Sequence, residues 1–212
     1  MGTFVKGILG GFSGTVGTVV GGNWKGIDYM RSQSAKRSGG FTQAQLQQQA
    51  KFALVVKFVQ TMTAFVAISF RDFAVQMTGF NNSVSYNLKN AVTGVYPDYS
   101  LAYNLTLVSR GDLPNGLGPS AVAAAGSNIV FSWTDNTGVG RAKATDLAML
   151  LVYCPAMNLS IYTTGSAARS AATDTLNVST FSGEKVETYI GFISADGKDI
   201  ASSIYTGQIV VP

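Results

Sequence analysis

The run Gly7–Arg31, GILGGFSGTVGTVVGGNWKGIDYMR, decides how the chain divides between an arm and a folded body. Eleven of the 24 glycines fall within the first 40 residues, interleaved with Phe12, Val16, Val19, Val20, Trp24, Ile27, Tyr29 and Met30. So much glycine makes ordering costly in backbone entropy, while so many large apolar groups make water a poor surrounding. Such a segment needs a surface to lie on, whether its own C-terminal body, a neighbouring copy or another partner. Residues 1–40 therefore read as an assembly arm. Within it, Thr15–Val20 alternates as a strand does and Gly21-Gly22-Asn23 is a turn signal, so a hairpin added to a sheet edge is expected. Ser32–Gly40, SQSAKRSGG, reads as a polar connector.

At Thr42 the pattern changes. Thr42-Gln43-Ala44-Gln45 fits a capping box, and Leu46, Ala50, Ala53, Leu54 and Phe58 follow at helical spacing. A second helical pattern carries Met62, Phe65, Val66, Phe70, Phe73 and Met77, with a weak point near Gln60-Thr61. A third helix is expected over Val84–Val92, capped by Asn82 or Ser83 and closed by Gly94. Residues 41–96 thus form a helical segment. Lys57, Gln60, Thr61 and Thr63 interrupt its most apolar window, which argues for a buried or interfacial helix and against a membrane span.

From Tyr96-Pro97 onward the period becomes two. Strands are expected at 99–109, 128–134, 147–154, 159–163, 173–178, 186–194 and 203–211, with turn residues such as Asp135-Asn136-Thr137-Gly138 and Asp196-Gly197 between them. Seven short strands at this spacing read as an antiparallel β-sandwich over 97–212. The fold class is α+β: a glycine-rich arm and amphipathic helices, then an immunoglobulin-like sandwich.

Two resemblances accompany this reading. Ile129-Val130-Phe131-Ser132-Trp133 resembles the second strand of a fibronectin type III domain with its core tryptophan. Glu187-Thr188-Tyr189-Ile190-Gly191-Phe192 resembles that family's strand of alternating core aromatics, followed by a turn and the final strand Ser203-Ile204-Tyr205. This resemblance implies a spacer or interaction module without catalytic residues. Ala121–Gly126, AVAAAG, departs from it, being small and apolar where a polar loop is usual. The whole chain also resembles an uncharacterised family of chains of about this length, 212 residues here, from bacteria of the Bacteroidetes group, some in phage-like settings. The residues that carry this are Ser13-Gly14-Thr15-Val16-Gly17 with Val19-Val20-Gly21, Asn23-Trp24-Lys25-Gly26, Tyr29-Met30-Arg31-Ser32, Ala50-Lys51-Phe52-Ala53 and Gly191–Gly197. It implies a shared architecture.

Composition limits the chemistry. There is no histidine, which removes the commonest general base, the Ser-His-Asp and Cys-His arrangements and most transition-metal sites. Cys154 stands alone near a strand end and reads as a small core residue. Glu184 and Glu187, three apart at a strand start, read as solvent charges on opposite faces. No phosphate-cradling spacing occurs in the glycine-rich run. The chain is expected to be no enzyme and to use no metal or cofactor.

Charged residues make up only 12% of the chain against 46% hydrophobic, a sparse polar surface that suggests burial against partners. Residues 1–96 carry +7 and residues 97–212 carry −3, which suits a basic arm reaching for an acidic body on the same or another copy. The function expected is a structural protein that polymerises through arm and helices into a filament, tube or virion surface layer. Its partners are other copies, with Val16, Val19, Val20, Trp24, Ile27 and Tyr29 as arm contacts. A nucleic-acid-binding protein using Lys25, Arg31, Lys36 and Arg37 is one alternative. An adhesion or carbohydrate-binding module is another. The opening residues lack a basic start followed by an unbroken apolar run, so no export signal is read.

Overall fold

A computed structural model describes residues 2–4, 10–24, 26–35, 39–73 and 76–212. They fall into two compact units, Met1–Thr42 and Gln43–Pro212.

In the first unit, β1 (Thr3–Phe4), β2 (Phe12–Val16), β3 (Val19–Trp24) and β4 (Ile27–Ser32) follow one another as an antiparallel meander. The turn expected at Gly21-Gly22-Asn23 is not there. Those residues lie inside β3, where Gly21 pairs with Gly14 and Met30, and Gly22 pairs with Tyr29. Turns occur instead at Gly17-Thr18, where Gly17 takes φ 58, and beside Gly26. Asn23 serves the second turn from the strand: its side-chain oxygen accepts from the Gly26 amide at 3.1 Å and its Nδ2 donates to Asp28 at 2.7 Å. Gly21 is mid-strand because the chain passes too close for a side chain. A Cβ there would overlap the Phe12 carbonyl oxygen and the Phe12 ring.

The second unit opens with α1 (Gln43–Gln60), α2 (Thr63–Ser69) and α3 (Gly79–Asn90). The expected weak point near Gln60-Thr61 is a 90° break between α1 and α2. Threonines make it possible. Thr61 Oγ1 donates to the Phe58 carbonyl at 2.8 Å and Thr63 Oγ1 to the Gln60 carbonyl at 3.0 Å, so oxygens that a continuous helix would have satisfied still find donors. α2 ends at Ser69, short of the expected Met77. α3 starts at Gly79, where Thr78 accepts from the Asn81 amide at 3.2 Å as its N-cap, so neither Asn82 nor Ser83 caps it. A hairpin of β5 (Val92–Val95) and β6 (Asp98–Leu101) follows, turning through a cis Tyr96-Pro97 peptide.

Two antiparallel sheets complete the unit. β7 (Leu117–Ala124), β8 (Asn128–Thr134) and β11 (Thr173–Asn177) form one, in the order β11-β8-β7. β9 (Leu147–Cys154), β10 (Leu159–Thr163), β12 (Lys185–Ile193) and β13 (Ile204–Val210) form the other, in the order β10-β9-β12-β13. Six of the seven expected strands are present within a residue or two. The strand expected at 99–109 is not; its place is taken by β7, which contains the small apolar run that had read as an anomalous loop. The backbone of 103–109 bonds elsewhere. Leu107 exchanges both its polar groups with the buried Asn87 amide at 2.9 Å each, and Ser203 Oγ accepts from the Val108 amide at 2.9 Å. β7 is the edge strand of its sheet and is mostly exposed.

β9 explains how the layers stack. Ala148, Leu150, Val152 and Cys154 enter the core between the sheets with Ile129, Phe131 and Trp133 of β8 and Ile190 and Phe192 of β12. The alternate residues Met149, Leu151 and Tyr153 enter a second core with Val55, Phe58 and Val59 of α1, Met62, and Phe65 and Val66 of α2. The helices therefore form a third layer on the outer face of the four-stranded sheet, and the segments 41–96 and 97–212 share one core. Phe58 meets Tyr153 edge to face at 4.9 Å between centroids.

Loops at one end of the sandwich are tied by a buried ion. The Arg169 guanidinium, fully buried, donates to Asp146 at 3.2 Å, Asn136 at 2.7 Å and the Pro114 carbonyl at 2.7 Å, and lies 4.2 Å from the Phe192 ring centroid. Its own carbonyl accepts from the Trp133 indole at 2.8 Å.

Because both faces of β9 are core, Leu151→Ala should destabilise the protein as Leu150→Ala does, each by about 2–5 kcal/mol. Urea unfolding with one shared transition checks this; a neutral Leu151→Ala would mean that the helices are a separable layer. Gly21→Ala should disrupt β2–β3 by about 1–3 kcal/mol of overpacking. Amide exchange there should accelerate while exchange in β9 and β12 stays unchanged.

Candidate assembly interface

The meander assigns the arm residues to two faces. Cross-strand pairs Val20 with Arg31, Gly22 with Tyr29 and Trp24 with Ile27 lie on one face, because directly paired residues point the same way. Val16 with Val19 and Gly21 with Met30 lie on the other. Val20, Trp24, Ile27 and Tyr29 thus form one set, and Val16, Val19 and Met30 form another. Trp24 is 51% exposed, Ile27 53% and Met30 72%, and every residue of β4 is exposed. A single sheet of short strands has no interior, so whatever covers one face leaves the other open.

Of the four basic residues expected as nucleic-acid contacts, Arg31 alone is among the described residues. Arg31 donates to Ser34 at 3.3 Å beside Val20, whereas Lys25, Lys36 and Arg37 lie outside the described residues. The unit boundary does change the charge distribution. Met1–Thr42 holds five Lys or Arg against Asp28 alone, and Gln43–Pro212 balances ten cations with ten acids. The whole formal charge of +4 therefore belongs to the first unit.

In the second unit, Val55, Phe58 and Val59 of α1 and Phe65 and Val66 of α2 pack into the core with the sheet, while Phe52 of α1 and Ile68 of α2 stay exposed. No single helix among the described residues is long and apolar enough to cross a membrane. Cys154 is buried in the sandwich core, as its position suggested.

One residue departs from its sequence reading. Glu187, expected as a solvent charge, is 2% exposed. It lies on the helix-facing side of β12, opposite Tyr153 of β9 and Gln208 of β13. Its carboxylate accepts from the Tyr205 hydroxyl at 2.6 Å and the Gln208 amide at 2.8 Å. Three tyrosines nearby are held protonated. Burial raises the Tyr103 and Tyr189 phenols, and the Glu187 charge adds to both. Burial raises Tyr205 as well, reinforced by its hydrogen bond to Glu187. Glu187 borders a hollow of about 480 Å³, also lined by Tyr103, Pro155, Glu184, Lys185 and Gln208. Sequence reasoning missed it because the second layer covering its face comes from residues more than 80 positions away. Lys185 two positions before it and Thr188 just after it left its burial without a local signal.

Comparison with known proteins adds a family. No curated protein matches the sequence. Among solved structures, the fibronectin type III domain of the human collagen alpha-1(XX) chain is similar at 18% identity and a TM-score of 0.34, over 49% of this chain and 90% of that one. Residues 11–207 match a family described as a family of unknown function (DUF6266), and the chain belongs to that family.

Proposed function

We propose that this is a structural protein that assembles with copies of itself through its N-terminal strands, which act as an arm attached to a fibronectin type III-like body. The observation that carries the reading is the meander: a four-stranded sheet without an interior, bearing large exposed apolar side chains on both faces. A sheet of this kind gains by being covered, at roughly 25 cal/mol per Å² of apolar surface removed from water. β4 ends the strand order of this sheet, and among the described residues no further strand pairs with its outer edge, where another strand could be added. An arm laid on a different surface of the next copy makes a heterologous contact, which propagates into rings or fibres.

The helices enter this reading differently from the strands. Phe65 and Val66 of α2 and the end of α1 pack on the body, while Phe52 and Ile68 stay exposed, so the helices add a smaller contact surface beside that of the arm. The fibronectin-like character of the body is supported by its strand order, with the first, second and fifth strands of the sandwich in one sheet and the fourth, third, sixth and seventh in the other.

Full-length protein should form concentration-dependent oligomers or fibres in sedimentation velocity and negative-stain microscopy. Trp24→Ser combined with Ile27→Ser should weaken self-association at least about thirtyfold, as the loss of a central anchor worth about 2 kcal/mol or more does. Its thermal transition should stay unchanged. A wild-type chain that remains a single species across concentration overturns the proposal.

A further inference from the structure

The hollow beside Glu187 has the makings of a site. A carboxylate offers about four lone-pair positions, and among the described residues two donors, both neutral, reach this one. Among the described residues no Lys or Arg lies within ion-pair distance of it. A buried carboxylate left without a cation is costly, and an ion that entered the hollow would relieve that cost. The lining agrees in kind. Glu184 adds a second carboxylate against the single ammonium of Lys185, and Tyr103, Pro155 and Ala156 provide carbon surface beside the charge. Aromatic and aliphatic surface next to a carboxylate suits a cation on a carbon stem better than a hydrated metal ion, which seeks oxygen ligands on several sides.

We propose that this hollow binds an organic cation, an alkylammonium or guanidinium group, with Glu187 neutralising the charge and Tyr103 and Pro155 packing on the attached carbons. The site lies within the second unit and stands whether or not the N-terminal strands drive assembly. Two sources share this chemistry: a free amine and a Lys or Arg side chain of another polypeptide.

The test is an NMR titration of the full-length chain with n-butylammonium chloride, read at the Gln208 side-chain amide and the Tyr103 ring, with n-butanol and sodium chloride as matched controls. Butylammonium should give saturable shifts that neither control reproduces. Glu187→Gln should weaken binding at least tenfold. Lys185→Gln, at an exposed position, should tighten it several-fold by removing the competing ammonium, which keeps a readout should Glu187→Gln fail to fold. A parallel titration with acetyl-Gly-Lys-Gly-amide separates the sources: tighter binding than butylammonium assigns a polypeptide side chain, and weaker binding assigns a free amine. Shifts no greater than those from butanol or sodium chloride overturn the proposal. So does unchanged affinity in a folded Glu187→Gln chain, or in Lys185→Gln.

Discussion

Strands β9 and β12 are buried on both faces, and the rest of the second unit follows from that constraint. A strand in a two-layer sandwich alternates apolar and polar residues. Leu147–Cys154 cannot, because the helices cover its outer face, and it reads LAMLLVYC without interruption. The same covering sets the shape of the helical layer. Phe58 and Val59 reach the sheet from the end of α1, Met62 from the break, Phe65 and Val66 from α2, and the 90° turn between the two helices lets both contribute. Threonine hydroxyls that take up the freed carbonyls reduce what the break costs.

Polar groups inside this apolar stack mark the places where loops are fixed. Asn87 holds the segment at Leu107 by the two bonds a neighbouring strand would have provided. Arg169 gathers three loops around one guanidinium, with Asp146 as its counter-ion. Each is satisfied by partners far apart in the chain, so each depends on the fold being complete. Glu187 differs from both. Its hydrogen bonds are made but its charge is unmatched, and it borders an open hollow where the other two are enclosed.

The first unit follows a different physical logic. Its strands pair with their sequence neighbours, so the hydrogen bonds are local, while large apolar side chains stay exposed on both faces of the sheet. Glycine at position 21 admits the Phe12 backbone and ring, and that close approach holds β2 and β3 together at the expense of side-chain burial. A sheet built this way is secure in its backbone and incomplete in its faces. The positive charge that accompanies it belongs wholly to this unit.

Local signals determined much of this in advance. Alternation and turn residues placed six of the seven sandwich strands, helical spacing and the Thr42 boundary placed α1, and the Gln60-Thr61 weakness marked the break, because each depends only on neighbours along the chain. The composition of residues 1–40 also led, without coordinates, to the expectation that this stretch lies on a surface beyond itself. Tertiary structure decided the rest. Whether Gly21-Gly22 turns or extends depends on what packs over it, so two glycines that read as a turn became the middle of a strand. Whether 99–109 or 117–124 opens the sandwich depends on which segment's backbone finds partners elsewhere, and Asn87 and Ser203 claimed the former. Whether Glu187 faces water depends on a helical layer contributed from the other half of the chain, and burial of that kind leaves no mark on the residues beside it.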